Sequence, residues 1–196
     1  MSLKKNKIFF YVIFCIFIFS NTVSSEKSNI ERIKVYLNQL EFFSASFIQN
    51  DNEIISEGNI YVGDKRVRVE YNSPTKILII LDKNKAMYYN YELDEDEFFD
   101  PNDTAAWFFY DIFNNPAFFN DASILKISNN IVLEKSGFTE NEFFKIKIYF
   151  EDKPLILRSI KLFLENEYIE LSIFNHKYNE TFDRNFFKLI NPNFFD

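Results

Sequence analysis

Between residues 66 and 71 the chain reads Arg-Val-Arg-Val-Glu-Tyr, an alternation that puts Val67, Val69 and Tyr71 on one side of a strand and Arg66, Arg68 and Glu70 on the other. Such a stretch has an inside and an outside. Phe144, Ile146, Ile148 and Phe150 repeat the pattern against Lys145 and Lys147. Short segments rich in β-branched and aromatic residues recur at 43–49, 58–62, 66–71, 76–81, 86–91, 97–99, 123–128, 131–135, 143–150, 155–164 and 168–177, with polar turns such as Gly63-Asp64 between them. About eleven strands with few helices predict a mainly β (α+β) fold, an incomplete and strongly curved antiparallel β-barrel with something packed on one side.

Two stretches depart from this period. Ile30, Ile33, Leu37 and Leu40 form one apolar stripe of an N-terminal helix over 29–40, with Ser28 and Glu31 as its capping box. Residues 104–113 read as a second, largely apolar helix, with Asp103 or Thr104 as cap and Pro116 beyond its end. Its Trp107, Phe108, Phe109 and Ile112 carry too much apolar surface for a solvent-facing element. It is the expected cover of the concave face, either as permanent core or as a movable lid. Alternation assigns Phe47, Ile60, Val67, Val69, Leu78, Ile80, Met87 and Tyr89 to the concave lining beneath it.

The first 25 residues read as a signal peptide, because Lys4, Lys5 and Lys7 precede an apolar run over 8–19 that is too short to anchor the chain in a bilayer. The expected mature domain is 26–196. Losing three lysines takes the net charge from −7 to −10, a balance that repels phosphate backbones and excludes nucleic acid as a partner. The only cysteine, Cys15, leaves with the leader, so neither disulfides nor thiol chemistry are expected. Doubled phenylalanines such as Phe42-Phe43, Phe98-Phe99 and Phe186-Phe187 place apolar surface on both sides of a sheet.

Catalytic patterns are missing. His176 is the lone histidine, on a strand without a serine or cysteine motif nearby, and reads as a solvated or packed side chain. The acidic run 92–97 lacks the glycine turn and alternating ligands of a calcium loop and reads as a solvated turn. No enzyme, cofactor or metal site is expected.

Leu37-x-x-Leu40 followed by Phe43-Ser-Ala-Ser-Phe47-Ile-Gln49 is similar to the helix-to-first-strand pattern of the outer-membrane lipoprotein carrier protein family, periplasmic chaperones of the LolA type. Gly58-x-Ile-Tyr-Val, Arg68-Val-Glu70-Tyr71-x-x-Pro74, Asp82 with Ala86-Met-Tyr-Tyr89-Asn-Tyr, Thr104-Ala105-Ala106-x-Phe108-Phe109 and Phe187-Lys-Leu-x-Asn-Pro192 resemble, in order, its second and third strands, a following hairpin, the start of the lid helix and the closing strand. The resemblance implies that the concave residues line an acyl-chain cavity and that Trp107, Phe108, Phe109 and Ile112 belong to a lid. It implies a monomeric periplasmic carrier of a Gram-negative bacterium, whose partners are acylated lipoproteins, an inner-membrane lipoprotein-releasing ABC transporter, and an outer-membrane receptor or the outer membrane itself. Two positions depart from the family. Gly63-Asp64-Lys65-Arg66 stands where an Arg-Pro pair linked to lid closure is usual, leaving Arg66 or Lys65 as the candidate closure residue, and Ala105 stands where proline is usual. The alternative from another class is a periplasmic sensor, interaction module or lipid-binding protein of the same half-barrel shape.

Overall fold

A computed structural model of the protein describes residues 29–51, 54–139 and 142–194. The expected leader and the capping residue Ser28 lie outside them. Residues 29–38 form helix α1; Leu40, expected within it, sits in the following turn with its N–H donating to the Leu37 carbonyl at 3.1 Å. Phe42 takes a left-handed conformation (φ 60), which ends the helical path and directs the chain into the first strand. Ile33, Leu37 and Leu40 are buried, as their shared stripe predicts.

Eleven strands follow: β1 (Phe43–Asn50), β2 (Ile55–Gly63), β3 (Arg66–Ser73), β4 (Ile77–Leu81), β5 (Ala86–Asn90), β6 (Glu95–Phe99), β7 (Ser123–Ile127), β8 (Asn130–Phe138), β9 (Phe143–Asp152), β10 (Leu155–Phe163) and β11 (Tyr168–Lys177). Each expected strand is present, with ends that move by up to three residues. They form one antiparallel sheet in the order β6-β5-β4-β3-β2-β1-β11-β10-β9-β8-β7. The first and last strands therefore meet at its centre, with Phe47 opposite Ile173.

The sheet's two free edges are β6 and β7, so the chain between them, residues 100–122, leaves one edge and arrives at the other. This connection carries helix α2 (Ala106–Asn114) between two 3-10 turns, Pro101–Asp103 and Pro116–Phe119. Ala105 occupies the N-cap position without a side-chain bond, and Thr104 Oγ1 instead accepts the Ala106 N–H at 3.2 Å. α2 packs against β3, while its Phe108 ring lies 4.8 Å from that of Phe144 on β9. In a flat sheet β3 and β9 would be roughly 24 Å apart, whereas a helix of this length spans about 13 Å. One short helix touches both because the sheet curls around it. Register shifts at Ser44/Ser46, Glu57/Gly58 and Leu157/Ser159 add the local twist that such curling needs.

α1 is held at one end of the curl by charge as well as packing. Arg32 and Lys126 both reach the buried Asp152, at 3.0 and 2.9 Å, and the Leu157 N–H donates to the Tyr36 hydroxyl at 3.1 Å. The segment expected as a closing strand, 187–192, is not one: it contains turns and runs into a 3-10 turn at Pro192–Phe194. The reason is topological, since β11 is followed by no vacant edge, β1 being already paired with β2 and β11. Residues 178–194 instead cross the outer face of the sheet as a strap. The Arg68 guanidinium donates to the Phe186 carbonyl at 2.6 Å, and Phe187 is buried beside Gly63.

Two expectations about stability follow from these contacts. A Cβ at Gly58 would meet the Glu70 carbonyl oxygen at 2.2 Å and the Phe47 ring at 2.7 Å, whereas one at Gly63 meets the Phe187 ring at 2.8 Å. Gly58→Ala should therefore cost about 1–3 kcal/mol in chemical denaturation, and Gly63→Ala less, because the strap can shift and backbone within the sheet cannot. The second concerns Asp152, whose carboxyl is held below its ordinary value by hydrogen bonds from Lys126 and Arg32. A depressed folded value means that this stabilisation is complete above the unfolded value of about 3.9 and is lost as pH falls through the folded one. Denaturation of Asp152→Asn against pH should lack that acid-side component.

Candidate functional site

The register fixes which side chains share the inner face. Val67, Val69 and Tyr71 on β3 pair with Leu81, Ile79 and Ile77 on β4, and Val62, Ile60 and Gly58 on β2 lie across from the same three β3 residues. Phe43, Ala45 and Phe47 on β1 continue the row, which passes through Ile173 and Leu171 of β11 to Ile160, Ile148 and Leu133. Phe47, Ile60, Val67 and Val69 thus lie together on the inner face, as alternation predicts. Phe47 and Val67 are buried, with Val69 packed against the same cluster.

Leu78, Ile80, Met87 and Tyr89 do not join them. They form a separate buried cluster with Tyr91 and Leu189, on the outer face, because Leu78 and Ile80 pair with Glu70 and Arg68. The inward members of these strands are Ile79, Leu81 and Ala86. β4 reads Ile-Leu-Ile-Ile-Leu, which is apolar at both parities and gives alternation nothing to choose with. The strap supplies the second apolar layer that makes both faces of β4 buried. Tyr89 donates its hydroxyl hydrogen to Asp94 at 2.7 Å and accepts from Asn193 at 2.8 Å, so it anchors the strap and does not face the interior. Leu189 is the strap residue packed on this cluster, while Phe186 and Phe187 lie over Tyr61, Arg68 and Gly63 on β2 and β3.

Over the inner face, α2 presents Phe108, Ile112 and Phe113, all buried. Trp107 and Phe109 are half-buried against the same cluster. The Trp107 ring stacks on Phe108 at 3.8 Å and meets Phe118 and Phe144 edge-on at 6.0 Å. Trp107 also stands at the edge of a cavity of about 1120 Å³ between the start of α2, the β8–β9 hairpin and the β10–β11 turn at 164–167. The buried rings of Phe108 and Phe144, which belong to the core, form the inner wall of this cavity. Burial pushes the Asp111 carboxyl and the Tyr110 hydroxyl of α2 above their ordinary values.

Arg66 lies on the outer face with Arg68, near enough to α2 for its charge to act on the Tyr110 hydroxyl. Its guanidinium donates to Asp82 at 2.8 Å and to the Phe187 carbonyl at 3.3 Å, and among the described residues no lid atom accepts from it. The acidic run also bonds the strap, with Asp94 and Asp96 accepting from Asn193 and Asn191. No group of acids, histidines and cysteines suited to a metal occurs among the described residues. His176 is packed between Phe43 and Tyr178, its Nε2 2.7 Å from the Leu157 carbonyl, with its pKa lowered by burial. No helix among the described residues is long and apolar enough to cross a membrane.

The model of the family described as outer membrane lipoprotein carrier protein LolA matches residues 38–190, more than half of the chain. No curated protein matches. The structure is similar to the crystal structure of an uncharacterized conserved protein from Thermus thermophilus, with a TM-score of 0.54 and 10% identity over 85% of this chain and 95% of that one. LprF from Mycobacterium bovis aligns over 81% of this chain and 98% of its own at a TM-score of 0.41 and 7% identity. The Thermus likeness shows the same fold. The chain belongs to the LolA family, whose members are periplasmic carriers and not enzymes.

The lid residues should separate by position. Phe108→Ala empties a buried site and should cost about 3–5 kcal/mol, while Trp107→Ala at the half-buried rim should cost clearly less. Urea denaturation of the two variants followed by circular dichroism checks the order.

Proposed function

We propose that this member of the family is a periplasmic chaperone, mature over 26–196 after loss of its leader, that carries lipoproteins by sheltering their acyl chains against the inner face. Phe47, Ile60, Val67 and Val69, joined by Ile79 and Leu81, line the acyl-chain site, and Trp107, Phe108, Phe109 and Ile112 form its lid. The observation that carries this reading is α2 itself, an apolar helix that fills the curl and, among the described residues, is held to the sheet by apolar packing with no hydrogen bond into it.

The energetics favour such a lid. Burying Phe108, Ile112 and Phe113 is worth about 1.5–3 kcal/mol each, so lifting α2 into water costs on the order of 5–9 kcal/mol. An acyl chain gains about 0.8 kcal/mol per buried methylene, and two or three chains exceed that cost. A bilayer offers the chains an equally apolar home, however, so loading from a membrane has almost no net drive of its own. This is the physical reason to expect an energy-coupled partner, the inner-membrane ABC transporter, at the loading step and a receptor or the outer membrane at release. The second reading, a sensor or interaction module with a permanently filled core, draws on the burial of Phe108 and Ile112 among the core side chains.

Acyl photoprobes distinguish the two. A carrier should be labelled at Val69, Ile79 and Phe144 and spared at Leu78, Ile80, Met87 and Tyr89, which lie under the strap. Trp107, the only tryptophan, should change its fluorescence on uptake of a diacylated peptide with no loss of β-sheet circular dichroism. Absence of both signals at saturating peptide would leave the sensor reading in its place.

A further inference from the structure

Resting on the carrier reading, we infer that Asp111 is the release catch of the lid: its ionised carboxylate weakens the closure of α2, and a proton taken up there tightens it. Asp111 is the one charged side chain of α2 (Ala106–Asn114), an otherwise apolar helix. It stands beside the buried Ile112 in the last turn, where its own carbonyl accepts the Asn115 N–H at 2.9 Å and no basic residue is present. The final carbonyls of a helix carry partial negative charge, so an anion is disfavoured there. A neutral residue would hold the helix better, and local conflicts of this kind gather at functional sites.

The surroundings do not neutralise it. Asp82, Glu134, Asp152 and Glu170 each meet a lysine or arginine at 2.7–2.9 Å. Among the described residues, the half-buried Asp111 carboxylate accepts only from the Asn115 amide, at 3.1 Å. Lys83 of the β4–β5 turn and Lys135 of β8 attract it from beyond ion-pair distance, the latter lying 5.2 Å over the Phe118 ring. On the other side, Asp103, Glu142, Glu165 and Glu167 line the cavity that Asp111 borders, while Arg66 and Asp82 are paired with each other near Tyr110. Burial outweighs the attractions and raises the carboxyl above its ordinary value. Lifting α2 returns the group to water and to that value, so the closed lid binds the proton more tightly than the open one. Closure is therefore firmest below the ordinary value, weakens as pH rises to the raised one and stays at its weakest above it.

The test is amide hydrogen exchange of the protein without cargo, corrected for the intrinsic pH dependence of exchange. Amides of 106–114 should be better protected at about pH 4 than at about pH 7.5, while those of β9 and β10 do not follow. Asp111→Asn keeps the shape and the bond to Asn115. It should raise α2 protection about two- to fivefold at neutral pH and remove the pH dependence. Lys135→Met should lower protection at neutral pH and leave the acid value unchanged. In rapid mixing with a diacylated peptide, Trp107 fluorescence should report uptake by Asp111→Asn that is slower by the same factor. Wild-type protection that is flat with pH or rises with it, or lower protection in Asp111→Asn, would overturn the inference by showing the ionised carboxylate to be idle or a fastening. Exchange as expected with no peptide uptake by either protein would keep the proton-sensitive closure of α2 and remove the carrier reading.

Discussion

Everything in this molecule depends on one row of apolar side chains closing on one short helix. The row runs from Val67 and Ile60 through Phe47, Ile173 and Ile160 to Ile148 and Leu133. A flat sheet would leave most of it in water. Curling brings β3 and β9 to the same helix, and α2 with Phe118 and Phe119 fills what remains. Because the segment containing α2 is also the only link between the two free edges of the sheet, the element that completes the core is the one least tied to the ladder.

The outer face has its own logic. With β11 at the centre of the sheet, the chain after it finds no edge to extend, and it crosses β1 to β6 as a strap. Arg66, Arg68, Tyr89, Asp94 and Asp96 serve that crossing through hydrogen bonds to the Phe187 and Phe186 carbonyls and to Asn193 and Asn191. The polar row of β3 thus takes part in fixing the strap, with Arg66 also ion-paired to Asp82. Charge is divided by place as well. Arg32 and Lys126 meet at Asp152 beneath α1, and Arg66 pairs with Asp82 beside the strap.

The sequence by itself determined the strands, the apolar helix between β6 and β7 and the parity of those strands whose alternation is strict. Val67 and Val69 against Arg68 and Glu70, or Phe144 and Ile146 against Lys145, leave no second choice, because reversing them would bury charge. The apolar stripe of 104–113 likewise identified a cover before any contact was known. What only the tertiary structure decided was the side on which Leu78, Ile80, Met87 and Tyr89 fall, the fate of residues 178–194, and the partner of Arg66. These are non-local facts. The parity of an all-apolar strand is set by register with a neighbour and by a second covering layer, and that layer comes from residues far along the chain, routed by the absence of a free edge beside β11.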